Sequence, residues 1–144
     1  MSRELIQKQE FRQAFDNQDN EDDYTFKQCV FQKTRTSTSG GAIRIVSPKG
    51  KLTISQSGFT ICLATNNGGA IEFEGNEYHI TRCCFLGCLA VQFGQALDVQ
   101  GNSTLMGKLE INSVQQCATA RSPGLSQSLF FRHGKHIIIS HNSS

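Results

Sequence analysis

Residues 52–75 read LTISQSGFTICLATNNGGAIEFEG, and residues 78–101 read YHITRCCFLGCLAVQFGQALDVQG. The two segments align without a gap, and apolar, cysteine or glycine residues match at seven positions spread along their length. The matched pairs are Ile54/Ile80, Phe59/Phe85, Cys62/Cys88, Ala64/Ala90, Ile71/Leu97, Phe73/Val99 and Gly75/Gly101. The chain therefore repeats with a period of 26 residues, and a fixed period of this size is typical of stacked-repeat architectures.

Further copies flank these two. Residues 24–47, YTFKQCVFQKTRTSTSGGAIRIVS, fit the same frame. Residues 108–131 fit once two residues are dropped before Val114 and a few are inserted around Arg121–Ser126. A partial copy begins at His136. The predicted coils are 24–51, 52–77, 78–107 and 108–135, followed by a partial coil over 136–144.

Apolar residues alternate with polar ones inside each copy, as in Ile71/Phe73 and Leu97/Val99, and this period of two indicates strands rather than helices. No copy contains the L-x-x-L-x-L pattern of leucine-rich repeats. The predicted fold is all-β: a right-handed parallel β-helix of about four coils in which equivalent residues stack. The predicted inner stacks are Ile43, Ile71, Leu97 and Leu129; Ile45, Phe73, Val99 and Phe131; and Cys62, Cys88 and Cys117.

Residues 1–23 are predicted to form a cap and an acidic linker. Bare parallel edges invite pairing with other chains, so a short solenoid needs covered ends. The stretch Ser2–Asn17 carries scattered apolar residues and is predicted as an amphipathic capping helix, with Asp16–Asp23 as a loop into the first coil. The C-terminal residues show no equivalent cap, which indicates either a truncated array or an edge that meets a partner.

The bulk composition excludes several classes of function. The chain contains 14 Lys and Arg and 12 Asp and Glu, and the resulting net charge of +2 does not predict nucleic-acid binding. No apolar run approaches the roughly 18 residues of a membrane-spanning helix. The N-terminal residues MSRELIQKQEFRQ lack the apolar stretch of an export signal, so neither a signal peptide nor an anchor is expected in this chain. The sequence predicts no cellular compartment for the chain.

The tetrapeptides Gly40-Gly41-Ala42-Ile43 and Gly68-Gly69-Ala70-Ile71, with Phe59-Thr60-Ile61-Cys62 and Phe85-Leu86-Gly87-Cys88, recur in phase. The chain resembles the polymorphic outer-membrane-protein repeat family over about residues 24–139. That family is named for G-G-A-I and F-x-x-N motifs and also occurs in protist surface-type proteins. The resemblance implies a right-handed parallel β-helix, display at a cell surface and adhesion. Cysteine stands where the second motif has asparagine.

Three carboxylates are the candidate catalytic residues. Glu72 and Asp98 align with Arg44 in the outward slot between two inward residues, and Glu74 lies two residues further on. Polysaccharide lyases and glycoside hydrolases of the pectate-lyase-like fold place carboxylates on an outer sheet, where calcium or a carboxylate pair acts on the sugar. The competing interpretation is cross-strand charge pairing between Arg44 and Glu72.

The aligned cysteines are predicted to be buried thiols that act as small hydrophobes, with a disulfide as the alternative. His79, Cys83, Cys84 and Cys88 contain zinc-competent side chains at a spacing that matches no common zinc motif, so no metal and no cofactor is predicted. The leading functional hypothesis is a non-enzymatic scaffold that contacts protein or glycan through its outer faces or its open C-terminal edge. A calcium-assisted polysaccharide lyase or glycoside hydrolase is the alternative.

Overall fold

The fold is an all-β parallel solenoid. A computed structural model of the chain describes residues 3–18, 21–101, 106–110, 113–115, 117, 129–132, 135–139 and 142–143. Strands and turns, with no helix, make up these residues, and their strand pairings are parallel throughout. Successive strands pair with the equivalent strands of neighbouring coils, which confirms the predicted solenoid of about four stacked coils. Its right-handed winding stays a prediction.

The strands build three parallel sheets. In chain order they are β1 (Arg3–Gln7), β2 (Glu10–Phe11), β3 (Phe15–Asn17), β4 (Asp23–Lys27), β5 (Val30–Gln32), β6 (Arg35–Thr36), β7 (Ile43–Ser55), β8 (Gly58–Thr60), β9 (Leu63–Ala64), β10 (Ile71–Thr81), β11 (Cys84–Leu86), β12 (Leu89–Ala90), β13 (Leu97–Gln100), β14 (Met106–Glu110), β15 (Ser113–Gln115), β16 (Leu129–Arg132), β17 (Lys135–Ile139) and β18 (Asn142–Ser143). The first sheet contains β1, β3, β4, β7, β10, β13, β14, β16 and β17. The second contains β2, β5, β8, β11, β15 and β18, and the third β6, β9 and β12.

Strand registers align equivalent side chains along the solenoid. One column contains Ile43, Ile71, Leu97 and Leu129, and the next contains Ile45, Phe73, Val99 and Phe131. Members of both columns are fully buried through β13, and Leu129 and Phe131 in β16 are partly buried against them. These apolar columns form the core. Because successive side chains of a strand point to opposite faces, the residues between the columns point outward.

A stack of phenylalanine rings runs through the second sheet. Ring centroids lie 4.5 Å apart between Phe11 and Phe31, 5.0 Å between Phe31 and Phe59, and 4.8 Å between Phe59 and Phe85, and the planes are within 7° of parallel. These spacings match the distance of about 4.8 Å between neighbouring strands. The recurrent phenylalanine therefore serves coil-to-coil packing.

The paired glycines of the G-G-A-I motif have different tasks. Gly68 has φ of +61°, in the left-handed region that glycine adopts without strain. Gly69 passes so close to the carbonyl of Gln95 and the backbone of Leu89 that no Cβ fits there. The motif thus turns the chain tightly into the first sheet and places Glu72, two residues past the turn, beside Arg44 of the preceding coil.

The predicted N-terminal capping helix is wrong, because residues 3–17 form a further coil. Strand β1 pairs with β4, and Asp16 of β3 lies in register with Arg44 of β7 rather than in a loop. Ile6 is buried and Phe11 stacks on Phe31, so the apolar residues that suggested a helix occupy inward slots of the solenoid. The predicted boundary at residue 23 therefore falls inside the solenoid.

Candidate functional site

Two of the predicted carboxylates, Glu72 and Asp98, lie next to each other on the first sheet, and each accepts a hydrogen bond from an arginine. Glu72 is the register partner of Arg44 on one side and of Asp98 on the other. The Nε of Arg44 donates a hydrogen bond of 2.9 Å to Oε2 of Glu72. Charge pairing between Arg44 and Glu72, the competing interpretation of these residues, is therefore present.

Arg132 extends this charge pairing from the next coil. Its Nε donates a hydrogen bond of 2.9 Å to Oδ1 of Asp98, and its Nη2 lies 3.7 Å from Oε1 of Glu72. We refer to Arg44, Glu72, Asp98 and Arg132 as the arginine–carboxylate ladder. The repeat alignment does not identify Arg132 as a partner of Asp98, because its copy aligns only with an insertion before the strand. The available clue is that Arg132 follows Phe130, the register partner of Asp98, by two residues.

Asp98 is fully buried within the ladder. Its Oδ2 has no hydrogen-bond partner, so one of its two oxygens carries the cost of desolvation without compensation. Burial raises the pKa of Asp98 to about 6; Arg132 lowers it, and the carboxylates of Glu72 and Glu74 add to the rise. The structure thus holds Asp98 as a carboxyl that takes up a proton in mildly acidic solution.

This arrangement does not fit a calcium site. Calcium is bound by several oxygens free to turn toward one ion. Here Glu72 is held between two arginines and Asp98 is bound to Arg132, while Glu74 is exposed on the neighbouring column beside Val46 and Gln100. Glu72 and Asp98 are thus brought together as ion-pair partners, and Glu74 stays outside their hydrogen bonds.

A second ladder, of alternating charge, follows the same sheet. Arg3, Asp23, Lys51 and Glu77 occupy equivalent positions in successive coils, and we call them the edge ladder. The Nε of Arg3 lies 3.8 Å from Asp23, the backbone N–H of Lys51 donates to Asp23, and Nζ of Lys51 lies 3.3 Å from Glu77. Both ladders thus satisfy their charges within the chain.

The outer face of the second sheet is different, because its described strands contain a single charged residue, Glu10. Val30, Ile61 and Leu86 are 38%, 45% and 40% exposed on or beside this sheet. Gly58 lies between Val30 and Cys84 in register, with open space where its side chain would be. The face is therefore flat, with small apolar areas on a polar surface.

Left-handed corners border the second sheet on both sides. Lys8, Gln28, Gln56 and Arg82 have φ between 50° and 54° at the first corner, and Lys33 and Ile61 have φ of 52° and 54° at the second. All six are exposed. Positive φ is uncommon for residues other than glycine, so each of these corners holds a polar or bulky side chain in a conformation it seldom adopts. Their side chains thereby frame the second sheet.

Unpaired cations collect along these corners. Among the described residues, five exposed lysines and arginines at these corners or within two residues of them have no ion pair: Lys8, Lys27, Lys33, Arg35 and Arg82. The strands of these two sheets contain a single described acidic residue, Glu10, and it is paired with Arg12 at 3.0 Å. Another acid, Glu110, lines a surface depression with Arg82 and is paired with Lys108.

The cysteine column is buried, and all six cysteines are free thiols. Cys62, Cys88 and Cys117 are each at most 1% exposed. The backbone N–H of Cys88 donates to the sulfur of Cys117 at 3.3 Å, and its thiol donates to the carbonyl of Phe59 at 3.5 Å. The neighbouring thiols of Cys117 and Cys62, together with burial, hold the pKa of Cys88 far above its ordinary value. These thiols fill space and satisfy backbone groups.

The zinc-competent side chains point in different directions. Cys83 is buried and Cys84, the next residue, is exposed. In the part of the chain that the structure describes, no three His, Cys, Asp or Glu side chains are grouped so that they could hold a metal ion. The same residues include no helix with the length and hydropathy needed to cross a membrane.

Comparison with protein-family models, with curated proteins and with solved structures gives no match to this chain.

Proposed function

We propose that the chain is a non-enzymatic interaction module of a surface or adhesin-type repeat family, which binds protein or glycan through the outer face of its second sheet. The β-solenoid is the rigid support. One observation supports the choice of face: Arg3, Arg44, Lys51 and Arg132 of the first sheet pair within the two ladders, whereas five exposed cations at or next to the corners of the second sheet have no ion pair among the described residues. Side chains without internal partners are available to a ligand at little cost.

The regular spacing of the solenoid supports a binding role as well. Outward side chains repeat about every 4.8 Å along each column, so neighbouring coils present related groups to one extended partner. Extended, repeated surfaces of this kind suit long ligands better than small ones, because each coil adds a contact.

A screen of the purified chain against immobilised neutral glycans, acidic glycans and purified surface proteins tests the proposal. We expect at least one ligand to bind, and we expect Val30→Glu/Leu86→Glu to weaken that binding. The matched variant Thr25→Glu/Thr53→Glu places the same charges on the outer face of the first sheet and should bind like the wild type. Absence of binding across the panel, or loss only in the first-sheet variant, would overturn the proposal.

The alternative, a calcium-assisted polysaccharide lyase or glycoside hydrolase that uses Glu72, Glu74 and Asp98, has weaker support. Two of its three carboxylates are held by arginines, and the full burial of Asp98 separates it from a substrate. Assays for reducing sugars and unsaturated products from acidic polysaccharides, with and without calcium, distinguish the two functions. Product release that depends on Glu72 would favour the enzyme.

A further inference from the structure

Four of the unpaired cations border one coil of the second sheet. Lys8 and Lys27 lie together at its first corner, where the backbone N–H of Lys8 donates to the carbonyl of Lys27 at 3.0 Å. Lys33 and Arg35 lie at its second corner, on either side of the buried Thr34. All four side chains are exposed. Two pairs of positive charges thus flank the strand β5.

The surface between these pairs is flat and uncharged. It presents Gln28, Val30 and Gln32, with β5 spanning about 10 Å at about 3.3 Å per residue. Glu10, the register partner of Val30, is neutralised by Arg12. We call Lys8, Lys27, Lys33, Arg35 and the three residues between them the basic strip.

The chemistry of the strip selects among anionic ligands. Lysine and arginine pair with carboxylate and sulfate groups, and glutamine amides exchange hydrogen bonds with hydroxyls. Single-stranded nucleic acids also require aromatic platforms for their bases. The exposed large apolar side chains of the described residues are all aliphatic, so the strip offers no base-stacking platform. Val30 provides instead a small apolar floor for the face of a sugar ring.

From this arrangement we infer that the basic strip binds linear acidic glycans, polysaccharides that carry uronate or sulfate groups, across β5 from the Lys8 and Lys27 corner to the Lys33 and Arg35 corner. The inference rests on the proposed function and names the ligand class and the site. Each corner takes one anionic group of the glycan, and the glutamines contact the hydroxyls between them.

Binding of a heparin-type sulfated polysaccharide and of polygalacturonate to the whole chain tests the inference, with dextran as the neutral probe and duplex DNA as the competing polyanion. We expect both acidic glycans to bind and dextran to be ignored. Lys33→Gln/Arg35→Gln should weaken glycan binding about tenfold and reduce the dependence of affinity on salt, because two ionic contacts are lost.

The control variant Arg3→Gln/Lys49→Gln removes two exposed cations that are paired with acids elsewhere and leaves the strip intact. It should bind the acidic glycans like the wild type. Equal weakening in both variants would show attraction to net charge alone and overturn the inference. Tighter binding of duplex DNA than of either glycan, or no binding of any acidic glycan, would also overturn it. Binding of a protein or neutral glycan in the broader screen would then leave the proposed function standing.

Discussion

The hydroxyl of Tyr78 lies 2.7 Å from Nδ1 of His136, although two coil-to-coil steps separate these residues. Gly107 occupies the intervening position of the column, and its missing side chain leaves the space through which the Tyr78 ring reaches. Burial raises the pKa of Tyr78, which keeps its hydroxyl protonated. One glycine thus permits a polar contact between two coils that are not neighbours.

Gly107→Ala should therefore destabilise the chain by about 1–3 kcal/mol, because the new methyl group collides with the Tyr78 ring in a packed interior. Urea denaturation measures the change. Gly58→Ala is the matched control: its methyl group enters open space, and we expect the stability to stay equal or to rise by roughly 0.5–1 kcal/mol. Equal stabilities of the two variants would contradict the arrangement at Gly107.

Ile61→Asn should stabilise the chain by about 1 kcal/mol. Ile61 has φ of 54°, where a β-branched side chain is strained, and asparagine tolerates this region. The side chain is 45% exposed, so little apolar burial is lost. Thermal denaturation compares this variant with Ile61→Val, which keeps the branch and should bring no gain. A loss of stability in Ile61→Asn would show that packing outweighs the backbone strain.

Asp98→Asn should flatten the pH dependence of stability between about pH 4 and pH 6. The pKa of Asp98 rises from 3.8 to about 6 on folding, so within this window the unfolded chain releases a proton that the folded chain retains. Rising pH therefore removes about 2–3 kcal/mol of stability from the wild type, and above pH 6 the loss is complete. Denaturation at pH 4, 5, 6 and 7 gives the difference between variant and wild type.

The matched control for Asp98→Asn is Asp16→Asn, which removes an exposed carboxylate from the same sheet and leaves the groups that shift the pKa of Asp98 unchanged. It should follow the wild-type pH dependence. A difference between Asp98→Asn and wild type that stays constant from pH 4 to pH 7 would count against a buried, proton-binding Asp98.

One of the six cysteines should react rapidly with an aromatic disulfide reagent in the native state. Cys84 is exposed, whereas Cys83 is buried and burial raises its pKa to about 12, which removes the reactive thiolate. Cys84→Ser should abolish the rapid phase and Cys83→Ser should retain it, with the remaining thiols reacting after denaturation. Several rapid thiols in the wild type would contradict the burial of the cysteine column.

The 26-residue period sufficed to predict the solenoid, because stacking places equivalent positions in one column and selects the same kind of side chain for each. Phe59 and Phe85 illustrate this point: they match in the sequence and stack at 4.8 Å in the structure. Pairing between Arg44 and Glu72 could be foreseen for the same reason, since both occupy the outward slot beside buried residues.

The N-terminal coil could not be predicted in this way. Glu4 is the register partner of Tyr24, so this coil returns after only 20 residues and falls outside the period. Its short strands place single apolar residues inward, as with Ile6 and Phe11, so no alternation is visible. Leu5 is apolar but 64% exposed, and next to Ile6 it contributes to a pattern that resembles the apolar face of a helix.

The basic strip also could not be predicted from the sequence, because a net charge of +2 does not show how the charges are distributed over the surface. Lys8 belongs to the unrecognised coil, and it approaches Lys27 only because the two coils stack. Local charge on a solenoid depends on which residues share a corner, and this requires the register of every coil.

The edge ladder on the first sheet limits how such a chain can change length. Its geometry repeats with every coil, but its sign alternates from Arg3 through Asp23 and Lys51 to Glu77. Excision of the coil that contains Lys51 would leave Asp23 beside Glu77. Excision of the two coils that contain Asp23 and Lys51 would leave Arg3 beside Glu77 and keep the alternation. Recombination that shortens this part of the chain should therefore be tolerated better in steps of two coils, because electrostatics impose a two-coil period on a backbone that repeats with every coil.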